Sequence, residues 1–290
     1  PTINGRAMIV APILHNIISG WDKQTKEKSS TSLYTSGLDG INFLSPIFLT
    51  AAPANLVIYG LLPAQERQAF DFMFWIYASS IVGLVMFFLY FILTAVYFRS
   101  FQTVKIEKKD VINELEKLGS LKWAEWVGLG GIILMAIGIA TSSMHKVSIP
   151  LVTLAVLCTV LVMGVLSREQ FIQRIDWSFL VMLASLIGVL GTMSVLGIDQ
   201  SLIKEFSWLG DYMRNDFQMF VLMLTGMILL VRIFIPLNSA IFIFAAALLP
   251  MATGAGVSAW VIGFIILMMC GTAFFGYQSP YILYFQSLLK

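Results

Sequence analysis

Residues 233–289 decide the fold, and they read IFIPLNSAIFIFAAALLPMATGAGVSAWVIGFIILMMCGTAFFGYQSPYILYFQSLL. These 57 residues between Arg232 and Lys290 carry no charged side chain. A membrane-spanning helix needs about 20 apolar residues, so a stretch of this length must lie at membrane depth. Two breaks interrupt it, Pro236-Leu237-Asn238-Ser239 and Gly276-Tyr277-Gln278-Ser279-Pro280. Because unpaired backbone groups are costly in hydrocarbon, we expect both breaks inside protein or beside a watery cavity, as in transporter binding sites.

The composition is that of a membrane protein. Hydrophobic residues make up 58% of the chain and charged residues only 12%, whereas soluble domains carry about 25% charged residues. The net charge of +2 gives no reason to expect nucleic-acid binding. Cys158 and Cys270 both lie within apolar runs, so we expect neither a disulfide nor a metal site from them. We therefore predict an all-α polytopic membrane protein in contact with the lipid bilayer.

Runs without charge predict the membrane spans. The chain begins with Pro1 and its first apolar run, 7–21, is short for a span, so we expect it to be part of a longer protein. Two segments with apolar residues at steps of three to four, 105–120 and 199–211, are expected as surface helices. The other runs are residues 40–65, 72–98, 126–144, 147–167, 177–198 and 217–231, followed by the long stretch above.

Lysine and arginine counts predict the orientation, because cytoplasmic loops carry an excess of both. If residues 22–37 are placed in the cytoplasm and the chain changes side at each span, 12 lysine and arginine residues fall inside and 4 fall outside.

Length predicts the form of the segment 217–252. Residues 217–251 number 35, whereas two spans need about 40 plus a turn. We therefore expect a re-entrant hairpin that opens to the outside, with Asn238 near its tip.

The two ends of the chain repeat one pattern. A polar tip at residues 1–6 precedes an apolar helix to Pro12, and a later span is broken at 50–55. Likewise the tip at 236–239 precedes an apolar helix to Pro250, and a later span is broken at 276–280. The charge count gives the two halves opposite orientations, which is the pattern of an inverted-repeat transporter with its site near the membrane midplane.

This pattern predicts three regions. Residues 1–65 would form the transport part of the first repeat, with the second arm of a hairpin and a broken helix. Residues 66–176 would form scaffold helices with the surface helix 105–120. Residues 177–290 would form the transport part of the second repeat, made of a helix, a linker at 199–216, the hairpin 217–252 and a broken helix at 259–290.

At these motifs the chain resembles the divalent anion/sodium symporter family of the ion transporter superfamily, in its citrate-transporter-like branch. Members carry two Ser-Asn-Thr hairpin tips, each followed by an apolar helix with a proline and then a broken helix. Asn238 and Ser239 match the second tip, with Leu237 in place of the serine, and Thr2 and Asn4 fall at the first tip around Ile3. The stretches GRAMIVAPI, FLTAAPANLV and FFGYQSPYIL resemble the segments that follow. The resemblance covers nearly the whole chain, as the C-terminal two-thirds of such a protein.

The resemblance implies sodium-coupled import of di- or tricarboxylates, or of sulfate, by an elevator movement of a transport domain in a homodimer. It implies no cofactor beyond the coupling sodium ion, and a multi-pass location in a cell membrane of the bacterial inner-membrane type. Neutral amides and hydroxyls can hold anion oxygens, and unwound carbonyls can hold sodium. The expected substrate-binding residues are Thr2, Asn4, Thr50, Pro53, Asn238, Ser239, Gln278, Ser279 and Pro280. The expected sodium ligands are Thr2, Asn4, Ala51, Asn55, Asn238 and Gly276.

Three other functions would make different demands on the sequence. A sodium/proton or arsenite antiporter of the same superfamily would need an intramembrane Asp or Glu for proton coupling, and none lies in the charge-free spans. A membrane enzyme would need a catalytic set at membrane depth, and the sequence shows no HExxH motif and no paired histidines there. A non-transporting subunit would not need two polar tips and two broken helices. Arg6 and Arg232, in the hairpin arms, are expected to have a structural role, either by pairing with a backbone carbonyl or by snorkelling to the membrane interface.

Overall fold

The computed structural model describes residues 3–21, 23–98, 120–141, 149–175, 207–273, 275–278 and 280–289, together with scattered positions between 145 and 204. Within these residues the secondary structure is helical and no β-strand occurs. The helices of the first part are α1 Ile3–Ser19, α2 Lys23–Asn42, α3 Pro53–Leu61, α4 Ala64–Ala69 and α5 Phe72–Tyr97. Those of the middle are α6 Trp123–Ala140, α7 Ile149–Val162 and α8 Arg168–Arg174. The last are α9 Ser207–Asn215, α10 Phe217–Phe234, α11 Leu237–Gly254, α12 Ala259–Cys270 and α13 Pro280–Leu289.

Four of the described helices, α5, α6, α10 and α11, are long and apolar enough to cross a membrane. Helix α5 has 26 residues, which is about 39 Å at 1.5 Å per residue and exceeds a hydrocarbon core of about 30 Å. Large apolar side chains such as Ile81, Phe88 and Leu93 lie exposed along it, as expected of a surface that faces lipid. The chain is an all-α polytopic membrane protein, as predicted.

The chain divides into two compact units, residues 1–102 with 186–290, and residues 103–185. In the second unit α6 packs on α7, and Gly138 allows the approach because a Cβ there would lie 2.6 Å from Val152 Cγ1. The His145 ring also bonds to Gly138 O, at 2.9 Å. The regions predicted at 1–65, 66–176 and 177–290 stay a prediction.

The first unit has two packing centres. One joins α1, α2 and α13 through buried residues that include Ala11, Tyr34 and Phe285. The other joins α11 and α12, whose interfaces are the most buried of the described helices. Glu66 fastens this second centre to α4, because its carboxylate accepts hydrogen bonds from Ala259 N at 2.9 Å and Trp260 N at 2.8 Å. An acidic group at a helix N-terminus is favourable there because it satisfies amide donors without an intrahelical partner.

Helix α11 ends in a Schellman motif. Gly256 has φ +72°, and its N–H bonds to Thr253 O at 3.1 Å while Val257 N bonds to Ala252 O at 2.9 Å. Glycine adopts this left-handed conformation without the penalty that a Cβ brings. The chain can therefore reverse at once and send α12 back along α11.

Two predicted spans differ from the structure. The run 40–65 is wrong at its start, because α2 begins at Lys23, whereas the break predicted at 50–55 corresponds to the gap between the end of α2 at Asn42 and the start of α3 at Pro53. Helix α2 is polar in sequence, yet it buries Ser29, Ser32 and Tyr34 where it packs on α1, so an absence of charge could not mark it. The run 147–167 contracts to the helix α7. The runs 72–98 and 126–144 correspond to α5 and α6.

The segment 217–252 forms the predicted helix–turn–helix as α10 and α11. The turn falls at Ile235 and Pro236, so Asn238 lies in the first turn of the second arm rather than in the bend. Each arm has 18 residues, about 27 Å in length, and the re-entrant arrangement stays a prediction. The surface helix 105–120 and most of 177–206 lie outside the described residues.

Candidate functional site

The first break separates α2 from α3. It contains a 3-10 turn at Ser45–Ile47, and α3 starts on Pro53, which suits a first helical position because that position needs no N–H. Asn55 closes the break: its side chain is 1% exposed and its Nδ2 donates to Ser45 O at 2.8 Å and to Phe48 O at 2.9 Å. The carbonyls that the broken helix leaves open thus find donors inside the protein.

Two neighbouring helices support the same break. Arg6 on α1 donates through Nη2 to Ser45 Oγ at 2.9 Å and to Ala51 O at 3.1 Å. On α5, the buried Trp75 donates to Pro46 O at 3.0 Å. Ser79 Oγ lies 3.0 Å from Ile47 O. The break is therefore held from both sides.

The second break lies between α12 and α13 and is held by one arginine. Arg232 on α10 is 1% exposed. Its Nε donates to Cys270 O at 3.0 Å, its Nη1 to Ile235 O at 2.9 Å and its Nη2 to Thr272 O at 3.3 Å. One guanidinium thus ties the start of the break to the hairpin turn. Of the two structural roles expected for Arg6 and Arg232, pairing with backbone carbonyls is the one that the structure shows.

The far end of the second break is also fixed to α10. Gln278 donates through Nε2 to Arg232 O at 2.9 Å and accepts from Phe275 N at 3.0 Å. The Tyr277 hydroxyl donates to Ile233 O at 2.9 Å. The hairpin and the second break therefore form one hydrogen-bonded body.

A cavity of about 500 Å³ lies between the two breaks, and Ile3 and Leu237 of the two predicted tips also line it. One bond spans the gap between the breaks, because Asn42 Nδ2 at the end of α2 donates to Gly271 O at 3.2 Å. The cavity is lined by the start of α1 at Ile3, the end of α2 at Asp39 and Asn42, the first break at Ser45, Pro46 and Ala52, the start of α11 at Leu237, and the second break at Gly271 and Thr272.

Asp39 is the one acidic side chain among the described residues that line this cavity. It is half-buried, and the Tyr90 hydroxyl on α5 bonds to its carboxylate. Asp39 lies on α2, which is not among the described helices that are long and apolar enough to cross a membrane, so the prediction that no acidic residue lies in a span stays a prediction. A run without charge cannot include a helix that carries an aspartate, so such runs do not reveal α2.

The structure places the predicted site residues in different settings. Asn55 lines the cavity. Thr50 and Pro53 are half-buried beside it, and Ala51 O is occupied by Arg6. Asn238 and Ser239 are half-buried in the first turn of α11, directly after the lining residue Leu237.

In the second break, Gln278 is buried against Arg232 O. A Cβ on Gly276 would lie 2.8 Å from Gln286 Oε1, so this glycine is packed against a side chain. Thr2 and Ser279 lie outside the described residues, as do the side chains of Asn4 and Pro280.

Sequence reasoning missed Asp39, Asn42 and Ser45, three polar residues at intervals of three. Residues three apart lie on one helix face, and this spacing before Pro46 is the signal that could have identified a polar wall. The polar composition of residues 22–37 hides this spacing, because such a stretch is typical of a loop.

Comparison with known proteins supplies the identity. No curated protein sequence matches the chain. The family model described as the sodium:sulfate symporter transmembrane region matches residues 3–282. This match includes both breaks, the hairpin and every described residue that lines the cavity. The chain belongs to the sodium:sulfate symporter family.

Proposed function

We propose that this protein carries small di- or tricarboxylate anions across the membrane together with sodium, with the cavity between the two breaks as the binding site. Family membership supports sodium-coupled anion transport in general. The proposal that di- or tricarboxylates are the anions rests on the cavity of about 500 Å³ between the predicted tips and the breaks. Broken helices around a central cavity are the recurrent design of secondary-transporter sites.

Helix ends favour an anion in this cavity. Helix α3 begins at Pro53 and helix α11 at Leu237, and the first turn of each contributes lining residues. The first amides of a helix have no intrahelical partner, and the helix dipole is positive at this end. Two helix N-termini can thus hold anionic oxygens without a positively charged side chain on the wall.

Size and lining favour a carboxylate with a carbon skeleton over sulfate. Sites for small organic molecules measure about 300–1,000 Å³, and the cavity lies in this range. Apolar side chains form much of its wall, including Phe43, Met86, Ile241 and Leu267. A carbon chain with carboxylates at both ends would bury apolar surface there, whereas sulfate has none to bury.

The remaining features of the proposal come from the predicted inverted repeat. The protein would work as a homodimer in the cell membrane, and a transport domain would carry the site across by an elevator movement. Sodium would be held by oxygens of the breaks and tips, and Asn55 on the cavity wall is the best supported of the predicted ligands.

Proteoliposome uptake tests the proposed function. The full-length protein is reconstituted and exposed to labelled succinate, citrate or sulfate, with an inward gradient of sodium or of potassium. We expect succinate or citrate uptake that requires sodium. Uptake of none of the three, or uptake with equal rates in the two gradients, would overturn the proposal. Uptake of sulfate alone would overturn the size argument.

Asn238→Ala tests the hairpin tip in the same assay. Asn238 lies directly after the lining residue Leu237 and is proposed to contact the bound anion or sodium, and loss of such a contact leaves an unpaired partner and costs about 1–3 kcal/mol. Uptake affinity should fall roughly 10- to 100-fold while expression stays unchanged. His15→Ala is the control, because His15 bonds to Tyr34 between α1 and α2 and does not line the cavity. Normal uptake by the Asn238 variant would mean that the tip is structural.

A further inference from the structure

We infer that Glu66 is a positioning residue that fixes the spacing between the two breaks, although it does not line the cavity. The consequences of this role for transport rest on the proposed function. Glu66 lies on the short helix α4, which closely follows α3 along the chain. Helix α3 starts at the first break, and α12 ends at the second break. Glu66 therefore acts at the ends of these two helices that point away from the breaks.

The Glu66 carboxylate binds the N-terminus of α12 with both of its oxygens. Oε1 accepts a hydrogen bond from Ala259 N at 2.9 Å. Oε2 accepts hydrogen bonds from Trp260 N at 2.8 Å and from Ser258 Oγ at 2.9 Å. Bonds to an ionised acceptor are stronger than neutral ones, and the positive end of the helix dipole adds to the attraction. A shift of α12 along its axis would break all three bonds together.

The two helices transmit this fixed position to the cavity. Helix α12 has 12 residues and α3 has 9, so they extend over about 18 Å and about 14 Å. They pack tightly along the way, because a Cβ on Gly263 would lie 2.5 Å from Ile58 Cγ2. Leu267 near the end of α12 and Ala54 at the start of α3 both line the cavity. The axial position of α12 at Glu66 thus sets where its far end faces the first break.

A second connection runs through aromatic side chains. Trp260 stacks on Phe70, directly after α4, with ring centroids 4.7 Å apart, and its ring meets Trp75 edge to face at 5.6 Å. Trp75 donates to Pro46 O in the first break at 3.0 Å. Trp260 Nε1 is buried without a hydrogen-bond partner among the described residues, whereas a buried indole N–H usually has one. Stacking and the backbone bond to Glu66 therefore place this ring.

Hydrogen exchange tests the positioning role without transport. The full-length protein in detergent is compared with Glu66→Gln, which keeps the size of the side chain but removes its charge and one acceptor oxygen. We expect faster exchange at residues 259–262 and also at residues 43–52 of the first break, because local opening would spread from one to the other. Faster exchange at 259–262 alone would make Glu66 a simple helix cap and overturn the inference, as would unchanged exchange in both segments.

Glu125→Gln is the matched control. Glu125 also binds a backbone N–H at the start of a helix, since it accepts from Lys122 N at 2.7 Å. It belongs to the other compact unit, which contains neither break. Exchange at the two breaks should therefore equal that of the wild type in this variant.

Uptake supplies the second readout. In proteoliposomes, Glu66→Gln should raise the half-saturating concentrations of sodium and of the carboxylate, succinate or citrate, by at least about fivefold, the scale of effects that act on a site from a distance. The maximal rate should stay close to that of the wild type, and Glu66→Asp, which keeps the carboxylate, should recover part of the affinity. Unchanged half-saturating concentrations would overturn the inference and leave the proposed function standing. Faster exchange at both segments in a protein that moves no anion would support the role of Glu66 and overturn the proposed function.

Trp75→Phe tests the link to the first break, and it replaces Glu66→Gln if that variant yields too little folded protein. It keeps an aromatic ring but removes the donor to Pro46 O. Alone, it should raise the same half-saturating concentrations and speed exchange at residues 43–52 but not at 259–262. Combined with Glu66→Gln, its effect should be less than additive, because both changes loosen one connection. Full additivity, or wild-type values for Trp75→Phe, would overturn the inference.

Discussion

Both breaks contain backbone carbonyls that need hydrogen-bond donors, and the two breaks receive them from different side chains. At the first break, a buried amide from the following helix, Asn55, supplies the donors, with help from Arg6 and from α5. At the second break, the donors come from Arg232 and Gln278, and the break is tied to the hairpin arm α10. Both arrangements satisfy carbonyls that a broken helix leaves open. The first break also carries the polar wall, whereas the second offers mainly backbone oxygens.

We expect the two breaks to have different roles, one in binding and the other in stability. Ion and substrate affinity should depend mostly on side chains near the first break, because Asp39, Asn42, Ser45 and Asn55 line the cavity. Structural integrity should depend mostly on the second break, because one charged group there serves three carbonyls.

Arg232→Met should have the largest effect. The variant keeps the apolar stem but leaves the carbonyls of Cys270, Ile235 and Thr272 without their donor. The bond to Cys270 O is buried and the other two are part-buried; a buried acceptor left unpaired costs about 1–3 kcal/mol, so we expect a loss of about 3 kcal/mol in the free energy of unfolding. Denaturation in detergent measures this loss.

The control for that experiment is Arg214→Met. Arg214 also donates to a carbonyl, Ala255 O at 3.0 Å, but it is exposed. A water molecule can replace its donor, so the change in stability should stay below about 0.5 kcal/mol. Equal losses for the two variants would show that the second break does not depend on its arginine.

Gly263→Val should rank second, because it acts on the contact between the helices that lead to the two breaks. A Cβ on Gly263 of α12 would lie 2.5 Å from Ile58 Cγ2 on α3. Overpacking of this kind costs about 1–3 kcal/mol, and displacement of α3 should also weaken anion uptake. Gly226→Val is the matched control, since nothing lies within 4 Å of the Cβ position of Gly226. A stable Gly263 variant with normal uptake would mean that the two breaks need not keep this spacing.

Asn55→Ala should cost about 1–2 kcal/mol in stability, because two carbonyls of the first break lose a donor. Its effect on sodium affinity should exceed its effect on stability, measured by uptake at varied sodium. Gln278→Ala at the second break should reduce stability more than it reduces sodium affinity. If both variants reduce the same property more strongly, the two breaks do not have the different roles proposed here.

Tyr277→Phe should have the smallest effect. It removes one exposed hydrogen bond, from the hydroxyl to Ile233 O, and a single such bond contributes about 0.5–1.5 kcal/mol at most. Anion uptake should stay within about twofold of the wild type. A tenfold loss of uptake would place this hydroxyl in the binding site rather than in the support of the break.

The fold was largely predictable from the sequence, and the site only in part. Long runs without charge fixed α5 and α6, and two prolines with polar neighbours located the hairpin turn and the second break. The predicted start of the run 40–65 is wrong because α2 is polar. Packing on α1 stabilises this helix, and hydropathy gives no information on such packing. Asp39 was missed for the same reason. Arg232 was expected to pair with a carbonyl or to snorkel, but no local pattern could show that its partners would be Cys270 and Thr272, about 40 residues away.

Substrate protection of single cysteines tests most directly whether the two breaks share one binding cavity. In a Cys158→Ser, Cys270→Ala background, Ala52→Cys reports on the first break and Thr272→Cys on the second, since both positions line the cavity. Thr31→Cys, on an exposed part of α2, is the control. Succinate with sodium should slow alkylation of both cavity cysteines over the same concentration range and leave the control unchanged. Protection at one break without the other, or at neither, would contradict a shared site.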